Sequence, residues 1–519
     1  MRSHSRCRVL YVSDSLGTPI HPRGIFNYSV SVLEILRSLG MEVTLAVEGT
    51  PGYGGYGIRG RMAEDLARIA PRALDSMRLA EIYRYFSGSR FSHRFEYRQR
   101  AMRVLAKHAA GLVAVAQRQL ATVKPARPTL VPNETSLLSE VPKAAEHLLL
   151  ADRLLVVDEL YSASMLRAVN RTGPVPLDAT GYDIVLVDTP HYVEITGARR
   201  DQIISVVHDL IPLQDVQMSS DWRLLFQSKL DVTLKNSGHL IFVSEATRDT
   251  FNNLFPERAN TPNTILYPAI RSGLLASAEE PAERGSEYLE TIGTRIRTSR
   301  IERNADQISD SALIALALGQ VSKADLQASL TIGSDWDPSL PFFATAVSDE
   351  PRKNIAIFVE AAEALRGLAN LVVMGQVDGN RYMGHQPERY PNLHFTGYVT
   401  ETEKLNVIRG STGLIFPSFS EGFGIPVVEG AVFGRPVICS NIPVFREITG
   451  GLAVYIDPHR PDELVSAVLD IISNPDEATA RAAPLQALCL SRYRQSAMAE
   501  RLKQTLVTMG RLKELDQAA

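Results

Sequence analysis

The sequence predicts an α/β protein built from two doubly wound domains. Three observations carry that expectation. Short apolar runs rich in β-branched residues alternate with longer helical patterns, at 9–13, 43–47, Ile184–Val187, Ile203–Val207 and 240–243. Each is apolar almost throughout, as a strand buried on both faces of a parallel sheet must be. The same rhythm returns at 371–374, 414–416 and 436–439 after a long interval without it, which implies a second sheet. The length, 519 residues, also exceeds the roughly 250–300 that one core organises.

Composition bounds the class further. With 45% apolar and 22% charged residues the chain is ordinarily globular, and no stretch approaches the roughly 18 apolar residues that span a bilayer. The first residues, Met1-Arg-Ser-His-Ser-Arg-Cys-Arg, run straight into a strand with no signal-peptide core, so a cytoplasmic protein is expected. A net charge of −3 gives no whole-protein reason to expect nucleic acid. Cys7, Cys439 and Cys489 lie far apart in apolar surroundings and read as reduced packing residues, not as a disulfide frame or zinc site.

Taken in order, residues 1–270 form the first domain. Its opening strand leads to a loop ending Arg23-Gly24-Ile-Phe-Asn-Tyr28, then a helix through Leu39. Gly24 would let that helix N-terminus come close to a phosphate. A basic helical insertion is expected at about 52–180. Between 59 and 103 it carries arginines at 59, 61, 68, 72, 78, 84, 90, 94, 98, 100 and 103 against Glu64, Asp65, Asp75, Glu81 and Glu96. This reads either as a solvated helical face or, with Tyr83, Tyr85, Phe86, Phe91, Phe95 and Tyr97, as a surface for anionic lipid or a lipid-pyrophosphate acceptor. Residues 271–340 form an interdomain segment with a helix near 311–318. The second domain covers 341–482, and 483–519 is a helical tail that crosses back to the first.

The chemistry concentrates in Phe416-Pro-Ser-Phe-Ser-Glu-Gly-Phe-Gly-Ile-Pro-Val-Val-Glu429. A strand leads through a glycine-rich loop into a helix, with Pro426 expected as its first residue and Glu429 in its first turn. Gly422 and Gly424 permit close approach of a ligand, and a helix N-terminus favours phosphate. Carboxylates do not bind phosphate, so Glu421 and Glu429 are expected to accept hydroxyl groups on either side of it. In Asp349-Glu-Pro-Arg-Lys-Asn354, Arg352 and Lys353 follow a strand-like run at 342–347, where adjacent cations can neutralise a diphosphate. His208 directly follows the run 203–207, where an α/β sheet places its ligands, and reads as a hydrogen-bonding imidazole or as a packed histidine.

The segment from Phe416 to Pro458 resembles the donor site of the GT-B-fold retaining glycosyltransferases of family 4, in which two glutamates are separated by seven residues. Gly434-Arg-Pro-Val-Ile-Cys-Ser440 and Glu447 extend the likeness, and His208-Asp-Leu-Ile-Pro212 is similar to an element of the family's bacterial mannosyltransferases. The resemblance implies that Glu421 contacts the donor sugar, Glu429 the ribose, Lys353 and Arg352 the diphosphate, and His208 the sugar across a closing cleft. Gly24, Gly422, Phe423, Gly424 and Ile425 would complete donor binding. Two departures stand out: Ala346-Val347 where many members carry Gly-Arg, and Ser491-Arg-Tyr-Arg-Gln495 where many carry Ser-Trp.

The implied activity is metal-independent, retaining transfer of a hexose, mannose from GDP-mannose, to a lipid-linked or growing glycan of a bacterial surface polysaccharide such as O-antigen. No cofactor beyond the nucleotide sugar is expected. Peripheral contact with the inner membrane would use the basic segment 59–118. A rhamnosyl or other nucleotide-sugar transferase is the alternative, then a nucleotide-sugar epimerase or a non-catalytic subunit with a relic site. Asp335-Trp-Asp337 matches a metal-binding Asp-x-Asp pattern only literally, since it falls in the interdomain segment.

Overall fold

The computed structural model describes residues 6–18, 23–49, 129–131, 143–158, 160–169, 173–215, 220–270, 274–275 and 336–511, apart from 376, 385, 398 and 400. The arginine-rich segment 59–118 and the helix expected near 311–318 lie outside these. The described residues divide into one unit holding those up to 269 together with 495–511, and a second holding 270–494.

In chain order the first unit contributes β1 (Arg8–Val12), β2 (Glu42–Gly49), β3 (Thr129–Leu130), β4 (Arg153–Asp158), β5 (Val175–Asp178), β6 (Ile184–Val187), β7 (Val193–Thr196), β8 (Ile203–Val207), β9 (His239–Phe242) and β10 (Asn263–Ile265). Eight of them form a sheet in the order β10-β9-β8-β6-β1-β2-β4-β3, and β5 pairs with β7 separately. Only β3 runs antiparallel. The central strands β1, β6, β8 and β9 are buried almost throughout, which is why their sequences lack the alternation of a one-sided sheet.

The second unit adds β11 (Phe342–Ala346), β12 (Asn370–Met374), β13 (Leu393–Gly397), β14 (Gly413–Phe416), β15 (Val437–Ser440) and β16 (Val454–Ile456), parallel throughout in the order β13-β12-β11-β14-β15-β16. Phe343, Phe358, Leu371, Val373 and Ile415 centre its core.

Each sheet winds outward from a point where the strand order reverses. In the second unit that point lies between β11 and β14; in the first it lies between β1 and β6. Ligand sites of open α/β sheets form beyond the carboxyl ends of the strands at such reversals, because loops there diverge and leave a crevice.

Several boundaries differ from expectation. The insertion expected at 52–180 is too wide, because β4 pairs with β2 along six residues from Thr44↔Arg153 to Gly49↔Asp158. The helix after β1 already includes Gly24, since it spans Arg23–Ser38. The C-terminal tail is two helices, Pro475–Arg492 and Gln495–Thr508, and the second packs within the first unit. The break falls at Tyr493, which is 1% exposed, donates to the Ile448 carbonyl at 2.8 Å and packs edge-on against Phe423 at 5.4 Å. A buried phenol with a satisfied hydroxyl anchors the chain well. Trp336 is likewise buried, against Phe342 and His394, and Asp337 accepts from the N–H and hydroxyl of Ser339 in a turn.

Asn354 sets the geometry of the loop after β11. It is a non-glycine residue in the left-handed region, φ 54°, which an asparagine tolerates better than most side chains. Its Nδ2 donates to the carbonyls of Pro417 at 3.1 Å and Pro458 at 2.7 Å. Asn354→Ala should destabilise the second unit by about 2–3 kcal/mol through two lost hydrogen bonds and backbone strain. Asn354→Gly should recover only the strain, and urea unfolding of both variants, followed by a probe in this unit, measures the difference.

Candidate functional site

The reversal point of the second sheet carries the motif residues. Beyond β11 the chain makes a single 3-10 turn, Pro351–Lys353; beyond β14 it loops through 417–424 into the helix Ile425–Val432. Because β11 and β14 are neighbours, these loops meet. Lys353 Nζ lies 2.6 Å from Glu421 Oε1 and Arg352 Nη1 lies 2.9 Å from Oε2, while the Ser418 hydroxyl donates to Oε1 at 2.9 Å. Arg352 is held in turn by Glu350 at 2.7 Å through Nε and by the Ser420 carbonyl at 3.3 Å.

The Glu421 side chain is only 12% exposed. Burial alone would raise its pKa, yet the charges of Lys353 and Arg352, with hydrogen bonds from Lys353 and Ser418, carry it below the usual value. Arg352 and Lys353 meet two carboxylates, Glu421 and Glu350, so the cluster gathers two cations at one point while its formal charges balance. Three hydrogen bonds occupy three of the roughly four acceptor sites of the carboxylate, so Oε2 keeps one for a ligand hydroxyl.

Glu429 sits elsewhere than expected. The helix starts at Ile425, with Pro426 second, so Glu429 is its fifth residue and falls in the second turn. It is 6% exposed, and Lys404 Nζ, from the helix Glu401–Gly410, reaches its Oε2 at 2.8 Å. Gly424 caps the helix at φ 98°, where an added Cβ would lie 2.6 Å from the Phe445 ring; glycine is required there on both counts. Phe423, expected to bind the donor, is 5% exposed with its ring against Tyr493, so its side chain is part of the packing. Gly422 and Ile425 flank it at the helix start.

His208 and Gly24 belong to the first unit. Gly24 is exposed in the first turn of its helix. His208 follows β8 and lies beside Asp188, which follows β6. Its Nε2 is 3.5 Å from Asp188 Oδ1, and its ring meets Tyr28 edge-on at 4.9 Å. Asp209 accepts from the Ile211 N–H at 3.1 Å and so serves the short helix that follows. Along the same edge, Thr189 Oγ1 donates to Asp14 at 3.0 Å and meets His191 Nε2 at 3.0 Å; burial lowers the His191 pKa and keeps that imidazole neutral.

Asp188, Lys404, Ser418 and Asn354 escaped the reading of the sequence. The rule that singled out His208, a polar residue directly after a buried strand, applies equally to Asp188. Lys404 lies 25 residues from its partner on another helix, and no sequence signal joins them.

Residues 334–484 match the family described as glycosyl transferases group 1. These residues form a group 1 glycosyltransferase domain. The chain is 28% identical over 178 residues to the O-antigen chain mannosyltransferase RfbU of Salmonella typhimurium, covering 32% of this chain and 46% of that protein. It is 28% identical over 148 residues to the D-rhamnosyltransferase WbpZ of Pseudomonas aeruginosa, covering 28% and 38%. The match thus spans less than half the length of these relatives. The crystal structure of Anabaena Alr3699/HepE in complex with UDP and glucose superposes with a TM-score of 0.51 at 12% identity, covering 97% of this chain and 100% of that one. At that identity the likeness establishes the fold, two Rossmann-like sheets of the GT-B class. No helix among the described residues is long and apolar enough to cross a membrane.

Two outcomes test the group 1 domain's electrostatics. Because the folded pKa of Glu421 is depressed, its stabilisation is complete above the unfolded value near 4.5 and disappears as pH falls through the folded value. Urea midpoints between pH 3 and 6 should therefore fall more steeply with acidification for the parent than for Glu421→Gln. Lys404→Met removes the ammonium that lies against the buried Glu429 carboxylate and should cost about 3–5 kcal/mol; adding Glu429→Gln should restore part of that, as a double-mutant cycle in urea measures.

Proposed function

We propose that this chain is a retaining glycosyltransferase that moves a mannosyl group from GDP-mannose onto a lipid-linked or growing glycan of a surface polysaccharide. One observation carries the reading: Glu421 shares its buried carboxylate between Arg352 and Lys353 at the reversal point of the second sheet. In this reading Glu421 is the hydroxyl acceptor and Arg352 and Lys353 are the diphosphate cations, and their meeting in one hydrogen-bonded cluster supports it.

Lys353 and Arg352 stabilise the charge that grows on the departing diphosphate, in a partly buried setting that strengthens the interaction. Glu421 Oε2 accepts from a hydroxyl of the donor sugar and holds the anomeric carbon in place. Glu429, held by Lys404, takes the nucleotide ribose. His208 hydrogen-bonds the reacting sugar. Two cations supply the charge that a metal supplies in other transferases, so the reaction needs no metal. Retention follows from attack on the face that the phosphate leaves, the leaving oxygen taking the acceptor's proton.

Similarity to O-antigen chain mannosyltransferases supports the sugar and the pathway. The likeness to WbpZ favours a second reading, a D-rhamnosyl donor, in which the same cluster holds a 6-deoxy sugar. No part of the cluster distinguishes the two, because Glu421 reads hydroxyls common to both.

A donor screen with GDP-mannose, GDP-rhamnose and dTDP-rhamnose against lipid-linked glycan decides between them. GDP-mannose should be consumed, with an α-linked product and no loss of rate in EDTA; turnover of a rhamnosyl donor alone would replace the first reading with the second. Glu421→Ala and Lys353→Ala should each lower transfer at least about 100-fold. Full activity in Glu421→Ala would sink the site assignment.

A further inference from the structure

Asp188 is a buried charged residue that the function above does not use. It lies at 0% exposure beyond β6, at the reversal point of the first sheet. A carboxylate taken out of water costs several kcal/mol unless donors surround it. Its Oδ2 is served by two hydroxyls, Ser13 at 3.0 Å and Ser29, and Ser15 ties those two together at 2.9 Å each. Its Oδ1 makes no hydrogen bond among the described residues, and nor do His208 Nε2 and the Tyr28 hydroxyl, both equally buried.

These atoms share one place. His208 Nε2 stands 3.5 Å from Oδ1, a few tenths of an ångström beyond hydrogen-bond length. Tyr28 closes the imidazole from the side, and burial with the Asp188 charge raises its pKa and keeps the phenol neutral. The serines fix the carboxylate from the residue after β1 and from the helix Arg23–Ser38, so Asp188 cannot follow the histidine; the histidine must follow it. Nε2 is buried against Asp188, while 13% of the His208 side chain as a whole stays exposed.

We propose that Asp188 is the positioning residue of His208: Oδ1 accepts the Nε2–H and leaves the Nδ1 lone pair to accept a hydrogen bond from a substrate hydroxyl. The imidazole tautomer is set by the bond its other nitrogen makes. Tyr28 restricts the ring to that orientation. The proposal rests on His208 being a ligand of the reacting sugar.

Two measurements on the full chain test it. In the parent protein, 15N shifts of the His208 ring should report the neutral Nε2–H tautomer at pH 8; a Nδ1–H tautomer would overturn the proposal without any variant. Asp188→Asn keeps the shape but offers an amide N–H, which turns the tautomer, so kcat should fall roughly 10- to 100-fold with the donor KM within about twofold. The double variant Asp188→Asn/His208→Ala should be no slower than His208→Ala alone, because the two act as a unit. If His208→Ala abolishes transfer while Asp188→Asn retains full kcat, only the role of Asp188 falls. If His208→Ala transfers normally, the reading of His208 falls first. Should Asp188→Asn fail to fold, the tautomer of the parent still decides.

Discussion

The buried Glu421 carboxylate is the interaction on which the candidate site depends. Burial works against its charge, and the charges of Lys353 and Arg352, with hydrogen bonds from Lys353 and Ser418, outweigh it. That balance ties the loop after β11 to the loop after β14, and Asn354 reinforces the tie by bonding to Pro417 and Pro458. A site whose charges already compensate one another needs little rearrangement to accept a ligand, which is the physical meaning of preorganisation.

The two sheets place polar residues by the same rule and treat charge differently. In the second unit every buried carboxylate of the motif has an ammonium or guanidinium against it: Glu421 with Lys353 and Arg352, Glu429 with Lys404. In the first unit Asp188 has hydroxyls and a histidine. Fixed cations suit the binding of a permanent anion. A carboxylate beside an imidazole suits control of which ring nitrogen carries the proton, because the bond one nitrogen makes sets the tautomer.

Packing explains why one aromatic of the motif is buried. Phe423 stands between two glycines in the motif, yet its ring belongs to the core against Tyr493. Tyr493, in the stretch that departs from the Ser-Trp of the resembling family, anchors the chain between the last two helices. The glycines beside Phe423 therefore matter for backbone access, Gly424 most of all, since its conformation and its contact with Phe445 both exclude a side chain.

By itself the sequence determined the two parallel sheets, because strands buried on both faces must be apolar throughout, and it located the motif residues 352, 353 and 421 at strand ends. Its periodicity was blind to β4 and the extent of the supposed insertion: Arg153–Asp158 mixes charge with a short apolar run, and only pairing with β2 makes it a strand. The tertiary structure alone decided the partners. Lys404 with Glu429, Asp188 with His208, and Asn354 with two distant carbonyls each join residues that adjacent strand ends and packed helices bring together. Electrostatic and hydrogen-bond energies depend on separations of a few ångströms in space, and spacing along a chain carries that information only within a single helix or strand.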